Sequence, residues 1–192
     1  MAVSGRVILL IGAVLSTQFW VPVNASERWS FVAREAVGSD AKAGVYHHLE
    51  GAGRKHIAIS KQDVGVTWED NHSGDPQVYI ALKRAHEQTF EAPLQISSGS
   101  EAYEPAIAAA GTQGFVVVFE QDGAVVARSW SRAGLSDAIR LSAADVDTAS
   151  HPSIAANNGQ LVAVWREQKQ RRYRLRVAPL RLEGGKLTVD TP

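Results

Sequence analysis

The densest polar run in the chain is Glu69-Asp70-Asn71-His72-Ser73-Gly74-Asp75. Its carboxylates and amide are oxygen donors of the kind calcium takes, and Asp70 beside His72 is placed to bind a ligand or act as an acid. The same residue types are those a turn needs, and glycine and the closing Glu stand in the wrong places for a calcium-binding loop. A second candidate is Arg172, Arg174 and Arg176, alternating with Tyr173, Leu175 and Val177. On a strand this spacing puts three guanidinium groups on one face. With Arg166, Lys169, Arg171 and Arg181 close by in sequence, it is a basic patch suited to an acidic glycan or another anionic partner. Charge on an exposed strand also protects it from edge pairing. His47-His48 with His56 does not suggest a metal site, because adjacent strand residues point to opposite faces. Neither a metal nor a cofactor is expected. There is no Gly-rich phosphate loop, Gly-x-Ser-x-Gly elbow or His-Glu-x-x-His, so NTPase, α/β-hydrolase and zincin chemistry find no support.

The elements that would position these residues come from a repeat. Tyr103-Glu104-Pro105-Ala106-Ile107-Ala108-Ala109 recurs as Ser150-His151-Pro152-Ser153-Ile154-Ala155-Ala156, and Lys55-His56-Ile57-Ala58 is an earlier copy. Each copy is followed by an apolar run ending in an aromatic residue: Trp68, Phe119 and Trp165. Ile57, Ile107 and Ile154 precede these aromatics at nearly constant distance, which fixes the register. Asp-Gly and Ser-Gly-Asp-Pro turns then lead into further β-rich runs, Gln77–Lys83 and Ala124–Trp130, as hairpins require. Phe90–Ser97 and Ser136–Ser142 supply a fourth, outer strand, where Pro93 suits an edge. No stretch sustains a helical period. The expectation is an all-β chain of four-stranded antiparallel meanders, with repeats over about 55–104, 105–151 and 152–192. This is the pattern of β-propeller blades, in which Trp68, Phe119, Trp165, Ile57, Ile107 and Ile154 form the core between sheets.

Ile-Ala, an apolar strand and then Trp-Glu-Asp-Asn-x-Ser-Gly resembles the BNR (sialidase-type) propeller repeat. The Asp-box hairpin of that family survives in worn form at Lys83–Phe90 and Ser129–Ser136. The resemblance spans roughly residues 55–182 and implies propeller architecture. It also implies where catalysis would lie, since sialidases hold the substrate carboxylate with three arginines and attack with a Tyr paired to Glu. Here no Arg-Ile-Pro motif occurs. Arg34, Arg54, Arg128 and Arg166 are available outside matching motifs, and none of the four tyrosines (46, 79, 103, 173) falls in a nucleophile motif. The expected function is therefore an exported, non-catalytic binding or interaction module. The alternatives are a sialidase-type glycosidase acting on acidic glycans and a truncated remnant of a longer propeller protein.

Composition narrows the partners. The 192 residues carry 20 Lys+Arg and 20 Asp+Glu, a formal net charge of +0, where nucleic-acid binding needs a basic excess. The absence of Cys removes disulfide scaffolds, thiolate metal sites and Cys nucleophiles. Arg6, the apolar run Val7–Leu15 and Val23-Asn24-Ala25 have the layout of a signal peptide over residues 1–25. A secreted or periplasmic protein is expected, with no membrane span after cleavage. What remains holds roughly three and a half units, where closed propellers have about four to eight. A segment of about three clear blades and a partial one is expected over residues 26–192, making a small, open or incomplete propeller. Trp29–Ala33 and Gly44–Leu49 are candidate strands of the partial blade. The expected partners are a glycan, a protein, or a second copy that completes the ring.

Overall fold

A computed structural model describes Val37 and residues 44–49, 54–60 and 63–190. Residues 1–25, Trp29–Ala33 and Arg34 lie outside the described residues. Among the described residues there is no helix, and so none long and apolar enough to cross a membrane.

Among the described residues, fourteen strands build three antiparallel sheets. In the first sheet, β1 (His47–His48) and β2 (Ile57–Ile59) pair with different halves of β3 (Asp63–Asp70), followed by β4 (Gln77–Arg84) and β5 (Leu94–Gln95). The second runs β6 (Ala102–Ala109), β7 (Phe115–Gln121), β8 (Ala124–Ser131), with β9 (Gly134–Leu135) and β10 (Ile139–Arg140) on the far edge of β8. The third is an unbroken meander of β11 (Thr148–Asn157), β12 (Gln160–Lys169), β13 (Arg172–Glu183) and β14 (Lys186–Val189). The strands expected over residues 55–192 form, in the expected order, whereas His47–His48, expected in a partial blade of their own, pair with β3 in the first sheet. The outer strands β5 and β10 are much shorter than the runs anticipated there, at two residues each.

Pairing register makes the repeat structural. Ile57 faces Val66, Ile107 faces Val117 and Ile154 faces Ala163. Two residues on from those partners stand Trp68, Phe119 and Trp165. All three are buried, and each lies on the side of its sheet that looks back along the chain. Phe119 packs with Val78, Ile80 and Leu82 of the first sheet. Trp165 packs with Val116, Val118 and Val125 of the second. Trp68 packs with Tyr79 and Ala81 of its own sheet, against Val37 and Phe90. Full burial of each large apolar side chain contributes roughly 1.5–3 kcal/mol, so these two inter-sheet layers are the main cohesive force. Ile107 and Ile154 are core as expected, whereas Ile57 lies exposed on the edge strand β2.

Local chemistry sets the turns. The two central residues of four hairpins have positive φ: Asp122-Gly123, Asn158-Gly159, Gln170-Arg171 and Gly184-Gly185. Positive φ at both places matches the twist of the flanking strands. Equivalent bonds tie each sheet to the next: Ala102 N–H donates to Pro76 O and Ala149 N–H to Gly123 O, both at 2.8 Å. The sheets also approach closely at Gly65, where a Cβ would lie 3.0 Å from Ile107 Cδ1.

Candidate functional site

One equivalent position stands three residues before the repeated isoleucine in each unit. It is Arg54 just ahead of β2, Glu104 in β6 and His151 in β11. Glu104 and His151 sit in bulges, where the register between β6 and β7 and between β11 and β12 shifts. Both adopt left-handed φ values, 54° and 56°. Such a conformation is strained for residues with a Cβ and persists only where its surroundings hold it.

What holds it is a carboxylate from the preceding sheet. Glu104 N–H donates to Glu69 Oε2 at 2.6 Å, and His151 N–H donates to Glu120 Oε1 at 2.5 Å. Glu69 and Glu120 are themselves equivalent, each next to its repeat aromatic. The two bulges thus turn their side chains into one cluster. Arg54 Nη2 lies 2.5 Å from Glu104 Oε2 and 3.1 Å from His151 Nδ1, and His151 Nδ1 lies 2.8 Å from Glu104 Oε2. Burial, reinforced by a hydrogen bond shared with Glu104, pushes the Glu120 carboxyl up to about 8. For Glu104, burial also acts upward. The hydrogen bonds from Glu120 and His151 and the Arg54 charge outweigh it, so Glu104 is held below the usual carboxylate range. Glu104 is therefore the ionised partner of Arg54, and Glu120 the protonated member of the pair.

The ligand atoms of Glu104, Glu120 and His151 lie within 4.8 Å of one another, a spacing a divalent cation could use. Arg54 already supplies positive charge at that place. The arrangement among the described residues is an ion-pair network that joins three sheets. Its signal in the sequence is the repeated position before Pro105 and Pro152, which matches no catalytic motif.

The residues singled out from the sequence lie on different sheets. Asp70 is buried at the end of β3, accepting from Trp68 Nε1 at 2.7 Å and His72 N–H at 3.1 Å, with His72 Nδ1 at 2.5 Å. Burial works to raise its carboxyl, but these three hydrogen bonds, with the His72 charge, bring it below the ordinary value. Asp70 and His72 thus meet each other, and the His72 ring lies 4.6 Å from that of Tyr79. The Trp-to-carboxylate bond repeats in the third sheet as Trp165 Nε1 to Glu167 Oε1, 3.1 Å.

Arg172, Arg174 and Arg176 do share one face of β13, on the third sheet, and all three are exposed. Arg176 pairs with Glu167 at 2.8 Å. Among the described residues no hydrogen bond or ion pair joins this row to Asp70 or His72. Arg128 donates to Ser136 O and Ile96 O, bridging the second sheet to the first. Arg166 bonds Ser150 Oγ and lies over the Tyr173 ring at 4.9 Å. Of Arg54, Arg128 and Arg166, Arg54 is the one in the central cluster. Tyr103 donates to Glu101 Oε2 at 2.7 Å, and that bond, with some burial, holds its phenol up at about 12.

The most exposed apolar surface is the other face of the third sheet. Register makes Leu175 the counterpart of Val78 and Val125, and Val177 the counterpart of Ile80 and Ala127. Val78 and Val125 are 0% exposed, and Leu175 is 78% exposed. Ile80 is 1% and Ala127 0% exposed, and Val177 is 64% exposed. Val162 and Val164 are likewise exposed, whereas their counterparts Val116 and Val118 are buried. A face patterned as an interface between sheets therefore lies bare. Three open clefts of ≈ 310 to ≈ 490 Å³ lie at turns and sheet ends away from the Arg54 cluster.

Neither a protein-family model nor a curated protein sequence matches the chain.

Proposed function

We propose that the chain is an exported, non-catalytic interaction module whose three sheets are propeller-type blades, and that the bare face of β11–β14 is its docking surface. The observation that carries this reading is the exposure of Leu175 and Val177 at positions whose counterparts in the other two sheets are fully buried. Contiguous apolar surface of this kind marks interaction sites. Repetition of one four-stranded unit supports the propeller reading, as does the likeness of its motif to the sialidase-type repeat.

The test uses dilute protein, below about 1 µM, where weak partners dissociate. A hydrophobic fluorescent dye should bind, and Leu175→Asp should remove most of the signal. A signal that this substitution leaves intact would count against the docking face.

A second reading, the sialidase-type glycosidase, is favoured by the Tyr103–Glu101 hydrogen bond. Against it stand a phenol held at about 12 and a single central guanidinium among the described residues. No turnover of a fluorogenic sialoside is expected. Turnover that Arg54→Ala abolishes would establish the enzyme instead.

A further inference from the structure

We infer that the occupant of the bare face is a second copy of this chain, the two faces packing against each other about a twofold axis. This rests on the docking-face reading above and adds the identity of the partner.

The first ground is what the face rejects. At both junctions between sheets, a carboxylate next to the repeat aromatic accepts the N–H of a left-handed residue in the following sheet. Pairing places Arg166 at the equivalent position of the third sheet, opposite Leu175 as Glu69 is opposite Val78 and Glu120 is opposite Val125. A guanidinium has donors and no acceptor. It cannot accept that N–H, so the third sheet is not built to receive another unit of the same kind.

The second ground is the other end of the stack. The back-looking surface of the first sheet buries Trp68, Tyr79 and Ala81, with Val37 and Phe90 packed against them. Its edge strand β2 leaves Ile57 and Ile59 exposed. A head-to-tail copy would therefore find the middle of that surface already occupied. Pairing of two bare faces uses one surface twice, and it closes after two copies without growing into a filament.

Area and charge agree. Strands of 10, 10, 12 and 4 residues, at about 3.3 Å per residue and about 4.8 Å between strands, present a face of about 570 Å², or about 1,100 Å² for two copies. That clears the roughly 1,000 Å² a specific interface needs. One end of the face carries Arg166. The far end carries Arg181, bonded to Glu183 and Asp190, with Lys186 opposite Glu183, so its charges balance. Two copies related by an axis across the strands lay each Arg166 end over the partner's balanced end and keep the two Arg166 side chains apart, around a centre of Val162, Val164 and Val177.

Sedimentation velocity on the whole chain at about 50 µM reads the outcome, since a micromolar interface is then largely assembled. A dimer is expected, and Leu175→Asp or Val177→Asp should convert it to a monomer with an unchanged far-UV spectrum. These side chains are already in solvent in the single copy, so folding should survive. Should either variant misfold, Leu175→Gln and Val177→Thr should still weaken the dimer at least tenfold. The chain has no Cys, so Val177→Cys alone should yield a disulfide-linked dimer on mild oxidation. A monomeric wild-type chain would overturn the inference, as would a dimer indifferent to these substitutions. If the chain is monomeric and the dilute dye signal still depends on Leu175, the docking face stands and only the second copy is lost. If that dependence is also missing, the underlying reading fails too.

Discussion

Glu120 joins two sheets through one carboxyl. It accepts the His151 N–H and shares a hydrogen bond with Glu104. Its proton is held to about 8 in the folded chain against 4.5 for a free side chain. Between those values the folded state carries a proton that the unfolded state lacks, so stability is fully present below about pH 4.5 and declines as pH rises towards 8. Glu104, lowered in the fold, contributes in the opposite sense, with its share lost as pH falls through its own depressed range. The expectation is a melting temperature that drops from pH 5 to pH 8, with the slope flattened in Glu120→Gln. Parallel profiles for the two proteins would contradict this assignment. None of it was legible from residue types. The carboxyl pair exists because Glu104 and His151 take positive φ, and a non-glycine residue in that conformation has no reliable mark in a single sequence. The repeated Pro one residue later marked the place without revealing the geometry.

At the scale of elements, the sequence was most readable where side-chain alternation and turn chemistry agree. Asp122-Gly123 predicted a tight hairpin, and the strands on both sides form in full. The register of the three units followed from the spacing between isoleucine and aromatic residue. The outer strands were overread, because apolar content around Ile96 and Leu141 does not by itself provide a ladder. Beyond two-residue ladders, those segments are tied by scattered bonds such as Ile96 N–H to Val78 O, Val78 N–H to Ser97 Oγ, Leu141 N–H to Val125 O and Val125 N–H to Ser142 Oγ. The hairpin between β12 and β13 departs from the turn rule. Gln170 and Arg171 both take left-handed φ, 49° and 61°, with no glycine to relieve the strain. Replacing the pair by Asn-Gly should stabilise the chain by about 1 kcal/mol, because only Gly and, less readily, Asn enter this region cheaply. A thermal melt should show a rise of a few degrees. A fall would mean that the two side chains make contacts worth more than the strain.

Over the whole molecule, the alternation of Arg172, Arg174 and Arg176 with Tyr173, Leu175 and Val177 is visible in the sequence, where the charged row stands out as the functional one. The structure shifts the weight to the apolar row. Alternation says which residues share a face, but what covers that face is a tertiary fact. Val78 and Val125 have a neighbouring sheet over them, and Leu175 has none. The same position in three sheets therefore has two different environments. The most direct measurement is the denaturation midpoint of Val125→Asp beside that of Leu175→Asp, taken below about 1 µM so that self-association does not contribute. Val125→Asp should cost several kcal/mol or prevent folding, as a charge buried without a partner does. Leu175→Asp should leave the midpoint within about 0.5 kcal/mol of wild type, as for a surface site. Equal losses from the two substitutions would show that Leu175 is buried within the single chain, and the bare face would not exist.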